Sequence, residues 1–227
     1  MKPFKSNSTS FLRHLPLFKD LSEAEFRQLE TMTEYRLVKK NACIFKSGEA
    51  SDAIYVLVKG IVKIGNQADD EREIIKHILY PMAVFGELAL AGEPKRQDFA
   101  QALEETHVYR IAISDFHRLM ESNNRLMMNV INMIGSRLRR VEDRLEALMF
   151  KDARERIIDF LKDSATKQGK RVGYEMLIKH CYTQQDIANL TGTSRQTVTS
   201  VLNDLKKSNL IYFNRRSILI RDLAKLA

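Results

Sequence analysis

The sequence predicts an α+β fold in three parts: an N-terminal β-roll of jelly-roll type, a long helix, and a C-terminal winged helix-turn-helix. Three observations predict it. Short apolar runs alternate with turn signals from Glu34 to Ile113; an apolar seam of heptad period follows; and the last third combines a helix-turn-helix pattern with a hairpin pattern. Expected boundaries are 1–120 for the roll with its flanking helices, 121–150 for the long helix and 151–227 for the winged domain.

The roll is read from β-branched and apolar runs. Tyr35 to Val38, Ala53 to Val58, Ile61 to Ile64 and Glu73 to Ile78 have strand composition, and Lys46-Ser47-Gly48, Lys59-Gly60 and Ala68-Asp69-Asp70 separate them as turns. Many short strands at this spacing suit a closed roll, which leaves few edges to protect. Ahead of them, Ser22 is placed to cap a helix, with Glu25 three residues on to complete a capping box.

From about Asn123 the period changes. Met127, Ile131, Ile134, Leu138, Val141, Leu145 and Leu148 recur at steps of four and three, with charged residues filling the other faces. A stripe this narrow suits two helices packing on each other, so a homodimer is expected. Near Phe150-Lys151-Asp152 the heptad stops and a new amphipathic segment begins with Ile157, Ile158, Phe160 and Leu161; Gln168-Gly169-Lys170 then reads as a loop.

Charge separates the parts. The chain carries 37 Lys and Arg against 29 Asp and Glu, a net of +8. From residue 151 onward the count is 15 against 8, so nearly all the excess lies in the last third. A polyanion such as double-stranded DNA is the partner this distribution favours.

Gln184 to Val201 fits a helix-turn-helix. Ala188 stands where two helices cross and only a small side chain fits, and Gly192 follows where the turn needs a left-handed backbone. Ile187, Val198 and Val201 pack the two helices together; Thr183 and Ser194 are placed to cap them. The polar residues Thr183, Gln184, Gln185, Ser194, Arg195, Gln196, Thr197, Thr199 and Ser200 are the candidates for DNA contact, because they can hydrogen-bond base edges and phosphates. Beyond them, Leu210 to Phe213 and Ser217 to Ile220 flank Asn214-Arg215-Arg216, a hairpin with a basic tip.

Other chemistries are disfavoured. No P-loop, Gly-x-Ser-x-Gly elbow or HExxH occurs, and the five histidines and two cysteines form no catalytic or metal-binding pattern, so neither a catalytic site nor a metal site is expected. Cys43 and Cys181 are too few for a four-thiolate iron–sulfur cluster. No apolar run has the length of a membrane span, and Met1 to Ser10 lacks a signal-peptide stretch, so the expected compartment is the cytoplasm.

Nearly the whole chain, about residues 11 to 221, resembles the CRP/FNR superfamily of bacterial transcription regulators. The resemblance rests on Gly48, on Tyr55 to Gly60, on the cassette Phe85-Gly86-Glu87-Leu88-Ala89-Leu90 with Arg96 after a short gap, and on the order of roll, helix and winged motif. It implies a cyclic-nucleotide-binding type of roll, a two-fold dimer on a near-palindromic operator, and contact with RNA polymerase. It also implies that Phe85, Gly86, Glu87 and Leu88 cradle an effector, with Glu87 toward a ribose hydroxyl and Arg96 toward a phosphate; the alternative is that Glu87 and Arg96 pair with each other. Cyclic AMP is weakened as that effector by departures from the pattern. Gln97 and Asp98 follow the arginine where Ser or Thr is usual, Pro81-Met82-Ala83 replaces Pro-Gly-Asp, and Val141 and Glu142 stand where relatives carry the polar pair that reads adenine. The effector is therefore left open. The cysteine cluster of the oxygen-sensing branch is absent, and His77 reads as a strand histidine, with haem ligation as its alternative. Gln196 and Ser200 stand where glutamate and arginine are common, which implies an altered operator. A second class of function, a nucleotide-binding module acting through a protein partner, rests on the roll alone.

Overall fold

The computed structural model describes residues 9–67, 73–180, 182–214 and 216–226. The expected turn at Ala68-Asp69-Asp70, Cys181, and Arg215 of the hairpin tip lie outside the described residues. The chain forms two compact units. The first holds the described residues up to Asn66 with His77–Val141; the second holds Gln67, Glu73–Lys76 and the described residues from Glu142 onward.

The first unit opens with two 3-10 turns, Thr9–His14 and Pro16–Phe18, and helix α1 (Glu23–Thr31). The Ser22–Glu25 capping box forms: the Ser22 hydroxyl accepts from the Glu25 amide, and the Glu25 carboxylate accepts from the Ser22 amide at 2.7 Å. Strands β1 (Thr33–Val38), β2 (Cys43–Phe45), β3 (Ala53–Lys59), β4 (Val62–Gln67), β5 (Glu73–Leu79), β6 (Val84–Phe85), β7 (Phe99–Ala102) and β8 (Thr106–Ala112) follow. They build two four-stranded sheets of order β1-β8-β3-β6 and β2-β7-β4-β5. Helices α2 (Ile113–Ser122) and α3 (Asn124–Phe150) complete the run; Glu73–Lys76 of β5 and Glu142–Phe150 of α3 belong to the second unit.

The near-continuous apolar run of β3 is explained by burial on both faces. Ala53, Tyr55 and Leu57 point into the roll with Phe45, Val62, Ile64, Phe85, Ala100 and Val108. Ile54 and Val56 point the other way, onto Leu12, Phe18, Phe26 and Leu29 of the N-terminal turns and Phe116, Leu119, Leu126 and Val130 of α2 and α3. Each of the buried Val, Leu, Ile and Phe side chains contributes roughly 1.5–3 kcal/mol of transfer free energy.

The expected heptad seam lies on α3, a helix of 27 residues. Ile134 is partly buried against the roll core. Met127, Ile131, Leu138, Val141, Leu145 and Leu148 are exposed in the single chain, Leu138 at 58% and Leu145 at 59%.

In the second unit, an Asp152–Glu155 capping box starts helix α4 (Ala153–Gln168). Strands β9 (Lys170–Val172) and β10 (Glu175–Lys179), helices α5 (Gln184–Thr191) and α6 (Arg195–Lys207), and strands β11 (Ile211–Phe213) and β12 (Ser217–Ile220) follow. The strands make one sheet of order β11-β12-β10-β9. Ile157, Ile158, Leu161, Ile178, Ile187, Ala188, Val198, Leu202, Leu205, Ile218 and Ile220 form its interior. The loop expected at Gln168 to Lys170 shrinks to Gly169: helix runs to Gln168 and strand begins at Lys170. Lys170, Arg171 and Val172 show no alternation of burial, so this edge strand carries no strand signature in the sequence.

Candidate nucleic-acid interface and effector pocket

The helix-turn-helix is built by local chemistry. The Thr183 hydroxyl accepts from the Asp186 amide at 3.1 Å while the Asp186 carboxylate accepts from the Thr183 amide at 2.6 Å, a reciprocal cap on α5. Gly192 takes φ +64°, and its amide donates to the Ala188 carbonyl. The Ser194 hydroxyl accepts from the Thr197 amide at 3.0 Å and starts α6. Ala188 is fully buried at the crossing, with Ile187, Val198 and Val201 around it.

The candidate DNA-contact residues divide into two groups. Thr199 donates to Gln184 at 2.6 Å, which ties α6 to the start of α5, and Thr197 lies against Ser194 at 2.8 Å. Gln185 is exposed and donates to Asn189. Arg195, Gln196 and Ser200 stand exposed on one face of α6. Beside the motif, β11 and β12 pair antiparallel with Phe213 opposite Ile218. Asn214 closes the described part of their turn, its side-chain oxygen accepting from the Arg216 and Ser217 amides.

Two arginines hold the far end of α5. Arg156 of α4 donates to the Thr191 and Gly192 carbonyls at 2.8 and 3.2 Å. Arg144 of α3 donates to the Leu190 carbonyl at 2.6 Å. Cations at these carbonyls complement the negative end of the helix dipole.

In the roll, the cassette closes on itself. Gly86 takes φ +76°, and a Cβ there would stand 3.0 Å from the Arg96 guanidinium and 3.2 Å from the Ala53 carbonyl, so only glycine fits. Arg96 is buried and donates to the Gly86 carbonyl at 2.9 Å and to the Ala53 carbonyl. Its guanidinium lies 4.5 Å from the centroid of the Phe45 ring, inside a cluster in which Tyr55 and Phe85 stack at 5.3 Å. Glu87 begins the 3-10 turn Glu87–Ala91 and is buried; Leu88 beside it is exposed. The alternative pairing of Glu87 with Arg96 is not what forms. Glu87 pairs with Arg137 of α3, which also donates to the Val84 carbonyl. Burial holds both Arg96 and Arg137 below the ordinary guanidinium pKa, and for Arg137 the Glu87 carboxylate opposes that shift. Gln97 is exposed, with its carbonyl accepting from Ser47, and Val141 and Glu142 are exposed on α3. Met82 adopts a left-handed φ of +78°, a conformation that glycine would take without strain.

Arg137, Arg144 and Arg156 are the residues that sequence reasoning missed. The first two carried a usable signal: they lie one heptad apart, adjacent to the seam positions Leu138 and Leu145. Such flanking positions ordinarily serve the partner helix. Here both turn to backbone carbonyls of their own chain, and Arg137 to Glu87 as well.

Among the described residues no group of His, Cys, Asp and Glu could hold a metal ion, and Cys43 is an exposed free thiol. No helix among them is long and apolar enough to cross a membrane.

A roll carrying a buried cassette, a long helix and a winged helix-turn-helix together define a DNA-binding transcription regulator. Residues 35–123 match the family described as the cyclic nucleotide-binding domain, and residues 155–227 match the Crp-like helix-turn-helix domain. The CRP-like cAMP-activated global transcriptional regulator of Mycobacterium tuberculosis is 30% identical over 184 residues, 81% of this chain and 82% of that protein. The cyclic AMP receptor protein of Thermus thermophilus is 28% identical, over 93% of this chain and 94% of its own. The fold is also that of FixK2 from Bradyrhizobium japonicum, with a TM-score of 0.77 at 24% identity, covering 86% of this chain and 95% of that one. The chain belongs to the CRP/FNR superfamily, whose members are transcription regulators and not enzymes.

Proposed function

We propose that the protein acts as a homodimer joined along the α3 seam from Met127 to Leu148, with two α6 helices entering successive major grooves of a near-palindromic operator. The observation that carries this reading is the exposed face of Arg195, Gln196 and Ser200 on a helix whose Val198, Val201, Leu202 and Leu205 are buried and whose Thr197 and Thr199 are hydrogen-bonded within the motif. Arg195 suits a guanine edge and Gln196 an adenine edge. Two-fold symmetry sets the half-sites about 34 Å apart. Gel shifts against the promoter region of its own operon, repeated across salt concentrations, test the reading. Sequence preference with a steep salt slope is expected, and binding that depends on neither sequence nor salt would overturn it.

The roll receives a small anionic effector beside Phe85, Gly86, Glu87, Leu88, Arg96 and Gln97. Cyclic AMP is the first ligand to titrate, since it appears in the names of both relatives. Its phosphate would have to draw Arg96 away from the Gly86 and Ala53 carbonyls, and its ribose would share Glu87 with Arg137. Calorimetric titration at two temperatures reads this directly; absence of heat at both, up to millimolar concentration, would exclude cyclic AMP. The reading places the protein in the cytoplasm, with RNA polymerase as its further partner.

A further inference from the structure

We infer that Arg144 is a positioning residue for DNA recognition: it fixes the pose of the helix-turn-helix by tying the last turn of α5 to strand β5. The inference rests on the reading of α6 as the DNA-reading helix. Arg144 projects from α3 and donates to three backbone carbonyls from two other elements. These are Lys76 at 2.6 Å and Ile75 at 3.2 Å in β5, and Leu190 at 2.6 Å in α5. A planar guanidinium presents five N–H groups spread over three nitrogens in a fixed fork, so it can serve both elements at once; an ammonium offers three donors from a single atom and spans them less well.

Both ends of the bridge are anchored. Ile75 is fully buried. Leu190 lies one residue before Thr191, whose carbonyl Arg156 already holds. One helical turn beyond Arg144, Leu148 lies under the motif's turn: a Cβ on Gly192 would come within 2.9 Å of its Cδ2. Arg144 and Leu148 therefore make two contacts from one stripe of α3 onto one corner of the motif. Because α6 is joined to α5 through Ala188, Val198 and the Thr199–Gln184 bond, its direction follows the direction of α5. The guanidinium is half-buried, and burial lowers its pKa. Among the described residues its partners are backbone oxygens, which makes the bridge directional rather than a diffuse ion pair.

The consequence for binding is geometric. A dimer whose two reading heads are held rigidly tolerates one half-site spacing; loosened heads tolerate several. The test uses a duplex selected from a random-sequence pool by the unaltered protein, and the same duplex with one base pair inserted between its half-sites. That insertion turns the half-sites apart by about 35°. The unaltered protein should prefer the original duplex by at least about tenfold, whereas Arg144→Ala and Arg144→Lys should bring the preference within about threefold at unchanged dimer mass. A merely structural loss removes active protein, scales both affinities equally and leaves the ratio intact. A preserved ratio in the variants therefore overturns the inference, whatever happens to the absolute affinities. If Arg144→Ala does not fold, Arg144→Lys, which keeps charge and length, decides alone. Absence of any spacing preference in the unaltered protein would instead overturn the DNA-reading geometry itself, and this inference with it.

Discussion

Arg137 of the long helix donates to the carboxylate of Glu87 and to the carbonyl of Val84, so the cassette's acidic residue already has a cationic partner from its own chain. The Glu87 side chain keeps only 7% of its exposure and that of Arg137 keeps 23%. Removing one partner of such a pair leaves the other desolvated without compensation. Glu87→Ala should cost about 3 kcal/mol in the absence of any effector, the low end for a buried pair because Arg137 stays partly wet. Urea unfolding followed by circular dichroism checks this, since the chain has no tryptophan. A cost below about 0.5 kcal/mol would show the pair to be idle.

Leu138 sits in the middle of the exposed seam. Leu138→Glu would bring two carboxylates face to face across a two-fold axis, where they could be neither paired nor hydrated. The expected outcome is a monomer by light scattering at micromolar concentration, with a helical signal still present. An unchanged mass would refute the seam.

Arg195 is the first residue of α6 and is exposed. Arg195→Ala should weaken specific binding by about 1–3 kcal/mol and relax preference at one operator position in each half-site. A uniform loss over all sequences, with the salt slope reduced by about one, would mark it as a phosphate contact instead.

Gly192 combines a left-handed backbone with the close approach of Leu148. In Gly192→Ala the methyl meets the far end of a flexible side chain, which can move. The backbone conformation cannot relax without opening the turn, so a cost of about 1–2 kcal/mol is expected, chiefly from φ. Thermal unfolding of the variant measures it; an unchanged melting temperature would contradict the left-handed turn.

His180 stacks on Tyr182 with ring centroids 4.3 Å apart, and its buried Nε2 has no hydrogen-bond partner among the described residues. Burial pushes its pKa below the ordinary 6.5, and the hydrogen bond to the Tyr182 carbonyl opposes this only in part. The unfolded chain therefore takes up a proton as pH falls through 6.5, before the folded chain does. This contribution to stability is complete above that pH and is lost below it. Urea midpoints measured from about pH 7.5 down to about pH 5 should fall, and His180→Asn should flatten the trend. Parallel curves for the two proteins would remove His180 from the pH response.

Much of this molecule is written in local chemistry. The Ser22–Glu25 capping box, the Thr183 and Ser194 caps, the left-handed Gly192 and the small Ala188 depend on residues a few positions apart, so spacing alone implied them. The apolar stripe of α3 was legible for the same reason, because a heptad is a local period. The β9–β10 hairpin was not, since its exposed edge strand has no alternation to read.

What sequence alone could not assign is the destination of long side chains. Glu87 and Arg96 stand nine positions apart and look like partners. Folding sends Arg96 into the aromatic interior onto two carbonyls and brings Arg137, fifty positions from Glu87, to take the carboxylate. Arg144 likewise reads as a flank of a coiled-coil seam until the fold sets Ile75, Lys76 and Leu190 around it. A guanidinium on a flexible stem goes where burial leaves carbonyls and carboxylates unsatisfied, and those vacancies exist only once the elements have packed. Sequence therefore determined the architecture and the helix-turn-helix, while tertiary packing decided which arginines hold them.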